Sequence, residues 1–217
     1  FKDIKNSKIG YIIRTGVGKY QAKALNENAL SNSWRANTYV SVNTNYPIWL
    51  SKQKNLTLEE RYRYSPVPIN SSLYINATLD SSYSFYENGK YQNTIGARIG
   101  PSLTMGNFSK KFFDYTKIMI MLGGKFKQGG SPFAFDEAVD LGTLNLSLTQ
   151  QIMGPLLLHS EFKFNIDRSS EFYGKVIDSK VEARWQRRSY DLGIYYNPKK
   201  AIGGFTIRLN DFDFDGL

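Results

Sequence analysis

From Leu141 to Ile166 the chain reads LGTLNLSLTQQIMGPLLLHSEFKFNI, with apolar residues at every second position. The first arm sets Leu144, Leu146, Leu148 and Ile152 against Thr143, Asn145, Ser147, Thr149 and Gln151, with Gln150 the one lapse. After Met153-Gly154-Pro155, the second arm sets Leu156, Leu158, Phe162, Phe164 and Ile166 against Leu157, His159, Glu161, Lys163 and Asn165. Successive side chains of a strand point to opposite faces, so this pattern predicts a β-hairpin with one apolar and one polar face. A soluble sandwich shows the same alternation, and length shifts the reading. Each arm runs about ten to twelve residues, where globular strands centre on about 5–6 and membrane-crossing strands need about 9–11.

The same period recurs along the chain. Ile9, Tyr11, Ile13 and Val17 oppose Gly10, Arg14, Gly16 and Gly18, predicting a strand from Ile9 to about Lys23. A second strand sets Trp34, Ala36, Val40, Val42 and Ile48 against Arg35, Asn37, Ser41, Asn43 and Asn45. Residues 50–70 break the pattern: Thr57-Leu58-Glu59-Glu60 suits a short helix start, and Pro66 and Pro68 interrupt pairing. Leu73 to Met105 then forms a further hairpin around Glu87-Asn88-Gly89-Lys90, whose Asn-Gly favours a tight turn. Asp80 and Arg98 both fall on its polar face. Strands over 115–127, 173–187, from Tyr190 to Tyr196 and around Phe205-Thr206-Ile207 complete a meander of about ten. The expected architecture is all-β, an antiparallel up-and-down transmembrane β-barrel. Residues 1–217 form one barrel domain or the C-terminal portion of a larger barrel.

Composition narrows this picture. No run approaches the length of a transmembrane helix, and a mean hydropathy of −0.42 argues against a helical membrane protein. A barrel escapes that test, because only alternate residues need be apolar. Starting at Phe1 without a signal peptide, the chain is expected to be a mature or trimmed piece. The absence of cysteine removes thiol catalysis, disulfides and Cys-based zinc sites. A net charge of +9 fits solvated loops or a phosphate-bearing partner, and 15% aromatic residues, mostly Tyr and Phe, suit interfacial girdles.

Several stretches carry a resemblance. Phe113-Asp114-Tyr115-Thr116, Gly130-Ser131-Pro132-Phe133-Ala134-Phe135-Asp136, and Leu148-Thr149-Gln150-Gln151 with Gly154-Pro155 are the most specific. Arg61-Tyr62-Arg63-Tyr64-Ser65-Pro66, Gln186-Arg187-Arg188-Ser189-Tyr190, Tyr196-Asn197-Pro198 and Arg208-Leu209-Asn210-Asp211-Phe212 add to them. Together they resemble the cyanobacterial outer-membrane family catalogued as domain of unknown function 3769, which is similar to the C-terminal barrel of the lipopolysaccharide-assembly translocon. The resemblance implies a place in the cell outer membrane and a role in moving lipopolysaccharide into its outer leaflet. It implies as partners membrane lipid and lipopolysaccharide, periplasmic lipopolysaccharide-bridge proteins and a plug lipoprotein. Gly204-Phe205-Thr206-Ile207-Arg208-Leu209 resembles the C-terminal signal read by the barrel-assembly machinery, a further implied partner. The chain departs from the translocon pattern in lacking a jellyroll-length N-terminal segment and the cross-linking cysteines.

Chemistry for catalysis is sparse, and no enzyme is expected. His159 alone nominates no Ser-His pair and falls on a polar face. No His, Asp and Glu cluster has metal-ligand spacing, and no cofactor is implied. Gly16-Val17-Gly18-Lys19 lacks the glycine spacing and the following Ser or Thr of a phosphate loop. Asp211, Asp213 and Asp215 alternate, which suits a solvated end better than a Ca²⁺ site. The candidates for function are the lumen-facing bases Arg14, Arg35, Arg98, Lys125, Lys163 and Arg184, which would hold an anionic head group. Pro198, Gly203 and Gly204 are expected to weaken the last strand's contacts and let the wall part sideways. Two alternatives stay open: a porin-like or structural outer-membrane barrel without a lipopolysaccharide role, and a soluble basic β-protein. Nucleic acid is not the expected partner.

Overall fold

The computed structural model describes residues 8–24, 30–51 and 56–210. Ten strands follow one another in space as in sequence: β1 (Lys8–Lys23), β2 (Leu30–Leu50), β3 (Ser72–Tyr86), β4 (Tyr91–Met105), β5 (Thr116–Gly129), β6 (Gly142–Met153), β7 (Leu156–Asn165), β8 (Val176–Gln186), β9 (Tyr190–Asn197) and β10 (Ile202–Leu209). Every neighbouring pair is antiparallel. The only helix among the described residues is α1 (Leu58–Arg61), begun by a reciprocal cap: Glu60 N donates to Thr57 Oγ1 at 3.3 Å, and Thr57 N donates to Glu60 Oε2 at 2.9 Å. Thr57 N and the Thr57 hydroxyl both donate to the Glu60 carboxylate, which favours its ionised form and holds Glu60 below its ordinary pKa.

Closure into a barrel is the expectation the structure corrects. Among the described residues β1 pairs only with β2 and β10 only with β9, so the sheet is open. The two edges are unequal, 16 residues against 8, and cannot match along their length. A second correction concerns the expected strand over 173–187, which begins at Val176. Gly174 has a left-handed φ of 76°, and Gly174 N donates to Asn165 O, so the preceding residues close a turn.

Register confirms the predicted faces. One row across the middle reads Ile9, Thr44, Ala77, Ile99, Leu122, Leu144 and Phe164, all on one side. That apolar face is uncovered: Ile9, Leu79, Ile99, Leu122, Phe126 and Ile194 are all more than half exposed. Aromatics on it gather towards strand ends, with Trp34, Phe85 and Tyr91 at one and Tyr46, Trp49 and Trp185 at the other. Seven apolar side chains are buried among the described residues, Tyr64, Tyr86, Phe108, Tyr115, Met121, Phe133 and Leu157, and none belongs to the apolar face. On the opposite face many of the sheltered strand positions are polar, including Ser41, Asp80, Gln92, Thr94, Ser102 and Glu182. The burial is inverted relative to a water-soluble sheet.

The exception Gln150 finds its reason here. It sits on the apolar face near a strand end, where Thr116 Oγ1 donates to its Oε1 at 2.7 Å and its Nε2 donates to Gln151 O at 2.9 Å. The amide is satisfied within the sheet.

Candidate functional site

The polar face collects the chemistry-bearing side chains, and it is crossed by a connection at each end. At the first end, residues 130–141 leave β5 and reach back over four strands to β1. Ala134 N donates to Lys23 O at 3.0 Å, and Phe133 packs on Tyr20 and on Tyr86. Asp136 is the tie: its carboxylate takes Arg35 of β2 at 2.6 Å and the Tyr86 hydroxyl of β3 at 2.5 Å, while its carbonyl accepts from Gln92 of β4 at 2.8 Å. Glu137 pairs with Lys127 of β5 and accepts from Ser131 N. The segment is thereby latched onto the first five strands. Replacing Asp136 with Asn keeps the shape and an acceptor for Tyr86 but removes the charge facing Arg35, a loss of about 2 kcal/mol. Chymotrypsin should then cleave at Phe133 and Phe135 faster than in the parent protein.

At the second end, residues 56–71 and 106–115 fold together. Tyr64, Phe108, Tyr115 and Leu157 form a buried cluster with Ile69 against it. Leu157, assigned by alternation to the polar face, lies there because this cluster covers it. Arg63 Nη1 donates to Ser109 O at 2.9 Å, and Arg187 stacks over Tyr64. Gln151 is fully buried and bonds three backbone groups: its Oε1 accepts from Asp114 N at 2.7 Å, and its Nε2 donates to Lys110 O and Gly154 O, each at 2.8 Å. Stretches separate in sequence, around 61–66, 113–116, 150–155 and 186–188, thus meet in one place. Gly106 holds the junction with a φ of 81°, and a Cβ there would collide with Asp114 O. Gly106→Ala is therefore expected to cost at least about 1–3 kcal/mol, read as a lower urea midpoint. A cavity of about 460 Å³ opens beside this junction, bordered by Ser51, Asn70, Ser72, Tyr74, Thr104 and Lys117.

Between the two ends the polar face is cationic. Buried Asp80 is shared by Arg98 at 3.8 Å and Lys125 at 3.9 Å. Buried Glu182 is shared by Lys180 at 2.7 Å and Arg184 at 3.0 Å. One carboxylate for two bases leaves a positive balance at each cluster. Glycines make the room: a Cβ on Gly96 would meet Asp80 and Lys125, and one on Gly193 would lie 2.7 Å from Glu182 Oε1.

All six sequence-predicted bases lie on the polar face by register, but the structure does not bring them to one point. Arg35 is engaged by the latch, Arg98 and Lys125 share one cluster, and Arg184 belongs to the other. Arg14 and Lys163 stand apart, with no ion pair to a described residue. Asp136 and Gln151, inside stretches that carry the resemblance, and Glu137, one residue beyond such a stretch, are not among the residues predicted from sequence to form a site. His159 lies on the polar face, its Nδ1 2.9 Å from Thr149 Oγ1. No group of three potential metal ligands occurs among the described residues. Asp211, Asp213 and Asp215 lie outside them. Gly203 and Gly204 stand in an unbroken ladder with β9, and the Tyr195 ring lies against Gly204.

The sequence profile of one family, described as "Protein of unknown function (DUF3769)", matches residues 1–213. No curated protein and no solved structure matches the chain.

Proposed function

We propose, starting from the premise that the chain belongs to the DUF3769 family, that it forms part of an outer-membrane β-barrel wall that passes lipopolysaccharide towards the outer leaflet. The observation that carries this reading is the inverted burial. Fully burying a Leu, Ile or Phe is worth about 1.5–3 kcal/mol, and a sheet in water that leaves its whole apolar face bare forgoes that gain on every strand. Hydrocarbon supplies the missing cover. On β2, twelve residues separate Trp34 from Tyr46, which at about 3.3 Å per residue and a tilt near 40° puts the two aromatic levels roughly 30 Å apart. An apolar band in such barrels is about 25 Å tall.

The polar face then borders a hydrated path. Its shared carboxylates leave positive charge where a phosphorylated head group would travel, with acyl chains remaining in the bilayer. The open edges of β1 and β10 agree with a wall that further strands complete. The convergence at one junction of stretches carrying the family resemblance also supports the translocon reading. Bridge proteins, a plug lipoprotein and the barrel-assembly machinery are the partners it entails.

A photo-crosslinking residue at Lys125 in the full-length protein should capture lipopolysaccharide in cells, and one at outward Ile95 should capture bulk phospholipid. Depletion should reduce surface lipopolysaccharide. The latch over the polar face favours a second reading, a porin-like barrel whose bore the segment narrows. Ion conductance by the purified protein, with normal surface lipopolysaccharide in its absence, would select that one.

A further inference from the structure

Lys163 is half-buried on the polar face of β7 and makes no hydrogen bond or ion pair with a described residue. Its cross-strand neighbour Asp178 is engaged by other donors, so the half-buried ammonium keeps its own donors free for a ligand that brings negative charge. Lys163 lines a pocket of about 210 Å³ with Glu161, Asp178, Lys180, Tyr195 and Asn197. Two of the other three charged groups in the pocket are held by partners. Asp178 accepts from Lys200 at 2.9 Å and from Asn197 Nδ2 at 2.7 Å, and Lys180 is bound to Glu182. Lys180 also lies over the Tyr195 ring at 5.3 Å, which fixes one wall.

We infer that this pocket binds a pyranose bearing one anionic substituent, a phosphate or a carboxylate. Lys163 is the one cation left to meet the anion. Glu161, whose nearest ion-pair partner is His159 at 4.0 Å, has acceptor capacity for sugar hydroxyls, and the Tyr195 ring, which lines the pocket, offers an aromatic surface to the sugar's C–H groups. The volume suits one ring rather than a chain of them. The inference deepens the reading of the polar face as a wet path, and it rests on that face being reachable from water.

The test is calorimetry on the full chain folded in detergent micelles, with glucose 6-phosphate, glucuronate, glucose and inorganic phosphate as separate ligands. Both anionic sugars should bind at least about ten-fold more tightly than glucose or phosphate, a margin of about 1.4 kcal/mol. Lys163→Met should erase that margin while leaving glucose unchanged, and Lys163→Arg should retain most of it. Tyr195→Ala should weaken all three sugars and spare phosphate. Equal binding of glucose and glucose 6-phosphate overturns the inference, as does phosphate binding as well as the sugar phosphate, no binding at all, or indifference to Lys163→Met. Quenching of Trp34, Trp49 and Trp185 by brominated lipids tests the membrane reading separately. Sugar binding without quenching would sink that reading and leave the pocket standing.

Discussion

Replacing Glu182 with Ala is expected to destabilise the sheet by about 3–5 kcal/mol, the cost of breaking a buried ion pair from one side. The side chain is 1% exposed and accepts from Lys180 Nζ at 2.7 Å and from Arg184 Nη2 at 3.0 Å and Nε at 3.2 Å. Truncation leaves two sheltered cations facing each other over a gap that Gly193 cannot fill. Their partial exposure, 34% for Lys180 and 20% for Arg184, places the loss at the lower part of that range. Urea titration in micelles, followed by the fluorescence of Trp185 on the same strand, measures it. A triple substitution that also makes residues 180 and 184 apolar should recover much of the loss, because the charges rather than the volume are at stake. If Glu182→Ala left the midpoint unchanged, the shared-carboxylate account of the polar face would fail.

The second large effect distinguishes the solvents of the two faces. Leu122→Arg, in the middle of the apolar row, should cost about 2–4 kcal/mol in a phospholipid bilayer, as cations do on the lipid face at mid-depth. In a water-soluble sheet the same change at a side chain already 52% exposed should be worth no more than about 0.5 kcal/mol. Ser147→Lys, on the polar face of β6 and opposite Glu161 across the ladder, should be close to neutral in either case. Folding titrations into vesicles read all three. Equal behaviour of Leu122→Arg and Ser147→Lys would remove the argument for hydrocarbon against the apolar face.

Much of this protein was legible without coordinates, for a local reason. Because a strand turns successive side chains to opposite faces, Ile99 and Arg98 could be assigned to different sides from their own neighbours alone. The Asn88-Gly89 turn and the Thr57 to Glu60 cap were equally readable, since each is complete within a few residues. Gln150 looked like a lapse, and the burial of Leu157 on the polar face went unforeseen, because their partners, the Thr116 hydroxyl and the Tyr64 and Phe108 rings, lie tens of residues away.

The sequence by itself therefore determined the strands, their order of turns and the sorting of apolar from polar faces, all set by dihedral preference and period. Only the tertiary structure decided that β1 and β10 stay apart, that Asp136 crosses to Arg35 a hundred and one residues earlier, and that Asp80 and Glu182 each serve two bases. Those outcomes depend on cross-strand register and on where long connections land. Neither is encoded in any short window, because each is a compromise among ladders, packing and charge made across the whole sheet.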